Sequence, residues 1–360
     1  MMFHHRVKVL GKRGLVGLGL WRPIPAALCE RRVAERLPYL GDAFHGRDNR
    51  PVSSPAEILD FAAPRPAVSR LRDLRYTPLG LAWHRGAIEE AASFSPIGPP
   101  FIEIPYLRPL ERIAAATVVQ TDHTVSYGDW VFEVVRRLVA AGALHGPLLL
   151  PRALAAKGYV RADLERLGIA YRAVTRPLLI GEALVLHKQH MTQRWTAEEV
   201  GLLRRRWRLA PPEPRPGSLL YLSREDVRSE VWSRSRAMPH AEIGALVAAR
   251  GGRVVRTGKL RFEDYTALAA EAETVVADHG SAMVNLVQWR TRAVIELVSD
   301  GYWGAGLMAL GRAAGVGTHA ILRANQDLPT LLAKLEHLLD TIGRGDTPGG
   351  DGEPPQPAAR

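Results

Sequence analysis

Apolar residues along this chain follow two alternating rhythms: short unbroken runs, and longer stretches in which they recur every three or four positions. The first is the mark of a strand buried on both faces, the second of a helix with one face in a core. In the first half the pattern predicts strands at "TVVQ" (117–120), "GPLLLP" (146–151) and "LLIGEALVL" (178–186). Helices are expected between them, over "DWVFEVVRRLVAAGAL" (129–144) and around "RADLERLG" (161–168). The alternation resumes in the second half. Strands "SLLYLS" (218–223), "RVVRTG" (253–258), "TVVAD" (274–278) and "AVIELV" (293–298) are interleaved with helices over 239–250, 262–272 and 281–289. A long last helix, "LPTLLAKLEHLLDTI" (328–342), closes the pattern.

Strands alternating with helices predict an α/β protein with largely parallel sheets. Between the halves, "RWTAEEVGLLRRRWRL" carries a capping box in Thr196 and Glu199 and is stopped by Pro211, Pro212, Pro214 and Pro216. The organisation expected is a basic segment and loop over 1–50, a first lobe over 51–195, a helix and proline-rich linker over 196–216, and a second lobe over 217–342. Residues 41–66 read as loop, and the polar tail 343–360 has too little apolar surface to order itself.

Composition narrows the class. At 360 residues with 46% hydrophobic and 24% charged positions, the chain is an ordinary globular one with room for two cores. Cys29, the only cysteine, excludes an intrachain disulfide and a cysteine zinc site, and fits a reducing compartment, so a cytoplasmic location is expected. The net charge of +11 favours an anionic partner, either phosphorylated or a membrane surface, although an arginine-, alanine- and proline-rich composition accounts for part of it. At the N-terminus, Arg6, Lys8, Lys12 and Arg13 precede the apolar "GLVGLGLW" (14–21), which Arg22, Pro23 and Pro25 cut short of a spanning length. Three readings fit: a basic lead-in with a strand near Val7–Leu10, a segment touching the inner face of the membrane, or a cleaved signal.

The stretch "VVADHGSAMVNLVQW" (275–289) carries the chemistry. A strand breaks into a helix through Asp278-His279-Gly280-Ser281, and in parallel sheets ligands sit at such strand ends, where helix N-termini present N–H groups. Gly280 would let the backbone approach a phosphate, Ser281 would cap the helix and donate from its hydroxyl, and His279 would reach a phosphate oxygen. Glu296, sixteen residues after Gly280, falls where dinucleotide folds place an acid on a ribose. The other glycines of a dinucleotide fingerprint and the pattern GxxxxGK[ST] are absent, and a plain strand–turn–helix corner fits the same spacing.

With "AVIELV" after it, this stretch resembles the His-Gly-Ala-Gly, then Asn, then strand-Glu signature of the family 61 glycosyltransferases, the capsular-polysaccharide type. "SLLYLSRED" resembles that family's strand ending in Ser-Arg, "ARGGRVVRTGKLRFEDYTALAAEAETVVADHG" its helix–strand–helix run, and "VSYGDWVFEVVRRL" its Tyr-Gly-His-Trp helix. The resemblance spans about residues 115–300. It implies two Rossmann-like lobes around a cleft, the glycosyltransferase B arrangement, and transfer with inversion from a nucleoside-diphosphate sugar to a hydroxyl of a glycan or lipid-linked acceptor. No metal and no cofactor besides the donor are implied. Carried over, it makes Arg224 a diphosphate ligand with Arg228 behind it, His279, Gly280 and Ser281 the phosphate-facing turn, Asn285 a buried brace in the helix, and Glu296 the ribose or base contact. The general base falls to Glu133, Asp129 or His123 in the first lobe, Asp129 and Glu133 being one helical turn apart.

The sequence departs from the family at Ala282, where a glycine is expected, at Asp129, where the family has His, and in "RSRAMPH" (234–240). These departures leave room for a nucleotide-sugar-binding protein that has lost catalysis, and the charge alone leaves room for a nucleic-acid-binding protein. No nucleic-acid partner is expected, because Trp195 and Trp207 stand too close for a Myb-type repeat. His187 and His190 in "HKQH" lack a third metal ligand.

Overall fold

The computed structural model describes residues 6–8, 12–23, 32–36, 40–41, 57–61, 68–93, 101–103, 110–119, 126–187, 195–226, 238–298 and 306–344. The chain is a mixed α/β protein that divides into two compact units, one of residues 1–32 and 61–208, the other of residues 33–60 and 209–360. This differs from the expected organisation in two respects. The capped helix Ala197–Arg206 belongs to the first unit, and the early segment 33–60 belongs to the second.

In the first unit, four parallel strands, Tyr171–Val174, Leu148–Pro151, Glu111–Val119 and Leu178–Leu186, lie side by side in that order. The apolar runs "LLLP" and "ATVV" are buried throughout, as strands covered on both faces must be. The sheet is less parallel than expected. Val68–Tyr76 adds antiparallel to Leu178–Leu186, followed by a hairpin of Ala82–His84 and Ala87–Glu89. The hairpin turns through Arg85 and Gly86, both at positive φ (50° and 82°), the turn that matches strand twist.

The helix over 129–144 begins at Tyr127 and runs to Ala141, passing through a wider π turn over Trp130–Val135 in which the Arg136 N–H reaches back to the Val131 carbonyl. Trp130 is fully buried and its Nε1 donates to Asp163 Oδ2 at 3.0 Å, while Arg166 holds the other Asp163 oxygen at 2.7 Å. Trp195 and Trp207 are core residues, Trp195 meeting Phe132 edge-on at 6.4 Å, and His187 is buried against Ser69 Oγ at 2.7 Å. His190 lies outside the described residues.

The second unit is built on six strands, all parallel: Arg253–Arg256, Leu219–Ser223, Thr274–Asp278, Ala293–Val298, Thr318–Arg323 and the two-residue edge Leu40–Gly41. Leaving that edge aside, the five strands run in chain order second, first, third, fourth, fifth across the sheet. Helices His240–Ala249 and Leu328–Gly343 cover one face, packing Ile243, Val247, Leu331 and Leu335 onto Tyr221, Val276, Ile295 and Leu297. Helix Gly306–Ala314 and the 3-10 helix Ser281–Gln288 pack together on the other face, where Trp289 Nε1 donates to the Tyr265 carbonyl at 2.7 Å. Within the stretch read as loop, Glu57–Phe61 forms a strand beside Arg32–Arg36. Arg6–Lys8 is a strand paired with Phe101–Glu103, and the tail beyond Arg344 lies outside the described residues.

The capping box at Thr196 is formed as the sequence implies, with Thr196 Oγ1 accepting from the Glu199 N–H at 3.1 Å and Glu199 Oε2 accepting from the Thr196 N–H at 2.9 Å. Thr196→Ala is expected to loosen helix Ala197–Arg206 by about 1 kcal/mol, read as faster amide hydrogen exchange in its first turn, with Thr196→Ser close to wild type. Equal protection in the alanine variant would mean that packing alone sets the helix start.

Candidate functional site

The order second-first-third places a switch point between Leu219–Ser223 and Thr274–Asp278, where successive crossovers leave in opposite directions. In open parallel sheets a crevice for ligands forms at the carboxyl ends of such a strand pair. Ser223 and Arg224 end one strand, and Asp278, His279 and Gly280 end the other. A cavity lined by Gly217, Thr274, Arg292 and Thr318 lies at the opposite, amino-terminal ends of the strands.

Arg224 folds back across the crevice and donates from Nη1 to the His279 carbonyl at 3.2 Å. It lies so close to Gly280 that a Cβ there would stand 2.5 Å from Nη1, and Gly280 has φ 157° and ψ −171°, a conformation essentially reserved for glycine. The backbone at 280 therefore favours glycine, and a side chain there would also displace the mobile Arg224 guanidinium. Among the described residues no carboxylate closes an ion pair with Arg224. The N–H groups of Gly280, Ser281 and Ala282 have no acceptor there either. The Arg224 guanidinium and the unspent N–H groups of Gly280, Ser281 and Ala282 thus lie at one strand end, a donor set suited to anionic oxygens.

Gly280 takes the cap position of the 3-10 helix Ser281–Gln288, and no side chain caps it. Ser281 is instead its first residue, which corrects its expected capping role. Asn285 is buried in this helix: its Nδ2 donates to the Ala282 carbonyl at 2.9 Å and its Oδ1 accepts from Gln288 Nε2 at 2.6 Å. Thr266 Oγ1 completes the chain on Gln288 Oε1 at 2.6 Å.

Glu296 differs most from its expected role. It is fully buried, with one oxygen bonded to His279 Nδ1 and the other to His319 Nε2 at 2.7 Å. Burial by itself raises a carboxyl, but the two imidazoles outweigh it and hold Glu296 down to about 2. A carboxylate committed in this way beneath the strand ends faces two rings and has no oxygen left for a ribose. The reading missed His319, whose signal was a lone polar residue inside the apolar strand "THAILR".

Asp278 points to the other face. Its side chain is 3% exposed and neither oxygen has a hydrogen-bond partner, His240 Nε2 standing 3.6 Å away while His240 Nδ1 pairs with the Tyr221 hydroxyl at 2.8 Å. Burial pushes the Asp278 carboxyl up to about 7, with the Arg224 charge opposing.

In the first unit, Ser126 and Asp129 clasp the helix start: Asp129 Oδ2 accepts from Ser126 Oγ at 2.7 Å, and the Asp129 N–H donates to Ser126 Oγ at 3.1 Å. Asp129 is thus part of a cap as well as a candidate base. Glu133 lies in the π turn, a geometry frequent at functional sites, and its carbonyl accepts from the Arg137 guanidinium. The other two candidates, His123 and Arg228, lie outside the described residues. No protein-family model matches the chain, and no curated protein matches it.

The two buried acids affect stability in opposite directions. Between about 4, the ordinary carboxyl range, and about 7, the folded chain keeps the Asp278 proton that the unfolded chain has lost, so stability falls as pH rises through that window. Glu296 contributes stability above the ordinary range that is lost as pH falls toward about 2. Asp278→Asn is expected to remove the first slope, improving stability at pH 8 relative to pH 5 by roughly 1–3 kcal/mol. Urea midpoints at the two values test this, and an unchanged difference between them would assign the slope to another group.

Proposed function

We propose that the chain is an inverting glycosyltransferase of the family 61 type, in the two-lobe glycosyltransferase B arrangement, moving a sugar from a nucleoside diphosphate to a hydroxyl of a glycan or lipid-linked acceptor. The observation that carries this reading is the Arg224 guanidinium lying over Gly280 beside His279, at the switch point of a parallel sheet. A nucleoside diphosphate brings charged oxygens to such a donor set, and it is the leaving group of the reaction. The acceptor oxygen attacks the anomeric carbon, a base takes the hydroxyl proton, and the bond from that carbon to the diphosphate oxygen breaks. The departing charge is met by Arg224 and by the N–H groups of Gly280, Ser281 and Ala282. The base is assigned to Glu133 or Asp129, with His123 as third choice.

Arg224→Ala is expected to weaken binding of UDP, GDP or CDP, whichever binds best, by about 1.5–3 kcal/mol, the scale of a charged hydrogen bond. Gly280→Val should do worse, because its side chain evicts the guanidinium. Glu133→Gln and Asp129→Asn should leave that affinity unchanged while at least one abolishes turnover, since a base acts in the transition state. Titration calorimetry and a transfer assay read these outcomes. Folded Arg224→Ala and Gly280→Val proteins that bind the nucleotide like wild type would reduce the turn to a corner of the sheet.

A location at an anionic membrane surface is proposed from the N-terminal turn. Helix Lys12–Gly17, which opens in sequence on two basic residues, leads into a bend, and Val16, Leu18 and Leu20 are 39%, 73% and 41% exposed before Trp21 buries itself in the first unit. Among the described residues no helix is long and apolar enough to cross a membrane. Exposed apolar residues flanked by cations suit shallow insertion among acidic headgroups. The full chain should float with phosphatidylglycerol-containing vesicles and be released by salt, whereas Leu18→Ser with Leu20→Ser should stay behind. Equal flotation of both proteins, or of neither, would remove this surface from the account.

A further inference from the structure

The structure contains a buried device that the proposed function does not by itself require. His279, Glu296 and His319 come from three adjacent strands and lie on one face of the sheet. In the register Ala277 pairs with Glu296 and Glu296 with Ile321, so His279 and His319, each two residues from those partners, share their side. The His279 N–H continues the ladder onto the Leu297 carbonyl at 2.8 Å, which fixes its backbone relative to Glu296. The ring on that fixed backbone can still rotate. The bond from Nδ1 to Glu296 Oε1 turns that nitrogen toward the sheet.

Glu296 can hold that orientation only while its own carboxylate is fixed. A fully buried carboxylate is strongly destabilising unless it is hydrogen-bonded on both oxygens, and His319 Nε2 supplies the second bond at 2.7 Å. His319 is held in turn. Its Nδ1 is buried without a partner, facing helix Gly306–Ala314 where a Cβ on Gly311 would come within 3.5 Å of it. A proton on Nδ1 would find no acceptor, so the ring is committed to donating through Nε2. The tautomer of His319 is therefore set by its surroundings, and that choice is passed through Glu296 to His279.

We propose that His319 is a positioning residue for the nucleotide site, acting through Glu296 to present the His279 ring with Nδ1 toward the sheet and Nε2 toward the diphosphate held at Gly280 and Arg224. This rests on the nucleotide-binding reading above for the identity of the ligand, but not for the relay itself. A histidine whose far nitrogen is fixed by a carboxylate is the usual way a ring is oriented toward a reacting or coordinated group.

Two readouts on the full chain separate the relay from that reading. Long-range proton–nitrogen NMR of the histidine rings reports the His279 tautomer without any ligand, and calorimetry reports affinity for UDP, GDP and CDP. His319→Leu is expected to alter the His279 ring signature and weaken the best nucleotide about tenfold. His319→Gln, whose amide can donate where Nε2 stood, should restore both. In a His279→Ala background, His319→Leu should cost nothing further, because the relay then has no endpoint. Should the leucine variant fail to fold, His319→Asn, which offers no donor at the Nε2 position, carries the same comparison. An unchanged His279 signature in a folded variant lacking the Nε2 donor, or full additivity with His279→Ala, would overturn the proposal. If wild type binds none of the three nucleotides, the ligand reading falls, while the ring signature alone still decides the relay.

Discussion

The second unit turns on one buried charge. Glu296 lies fully buried in the middle of a parallel sheet and is tolerable there only because an imidazole from each side bonds to it. That requirement fixes three strands in register at their carboxyl ends, since a one-residue slip would carry His279 or His319 to the opposite face. The crevice above inherits its rigidity from this clamp. Hydrophobic packing on the other face, between Tyr221, Val276, Ile295 and the two covering helices, stabilises the unit without specifying where a ring must point.

Above the clamp, the strand-to-helix turn is shaped by mutual exclusion. Arg224 can lie over Gly280 only because residue 280 has no side chain, and the helix can begin without a side-chain cap, leaving its first N–H groups unspent. Gly280, Ser281 and Ala282 are only partly buried, so these first N–H groups stay open to solvent or to an anionic ligand at the strand end. Asp278 is the counterweight: a carboxyl turned to the far face of the same strand end, near enough for the Arg224 charge to act on it, with His240 Nε2 3.6 Å away and no hydrogen bond to either oxygen. The corner thus holds a cation ready and an acid in check, one on either face.

Much of this was legible in the sequence. Apolar runs marked most of the parallel strands, though not Tyr171–Val174, Thr318–Arg323 or the edge Leu40–Gly41; Thr196 with Glu199 marked a helix start, and "ADHGS" marked the turn. What could not be read was register. Whether Glu296 meets a ribose or a second histidine depends on which strand lies beside it and how it is shifted, and nothing local to "AVIELV" encodes that. His319 went unnoticed for the same reason. The antiparallel half of the first sheet was missed because "VSRLRDLRY" carries charges at Arg70, Arg72, Asp73 and Arg75, the adjacent pair breaking the alternation, and reads as surface rather than as a strand with one wet face.

The placement of residues 33–60 has a consequence for the chain as a physical object. Leu40–Gly41 closes the open side of the Thr318–Arg323 strand, so an early piece of sequence protects the edge of a sheet whose other strands are made last. During synthesis Leu40–Gly41 must wait for its partner strand while the 148 residues of 61–208, which belong to the other unit, are produced. A protein cut at the proline-rich linker would leave the Thr318–Arg323 edge bare, with its row of unpaired N–H and carbonyl groups open to any passing strand. The two units are therefore separate in their cores but not in their covalent order, and neither can be inherited, exchanged or lost as a single uninterrupted stretch of gene.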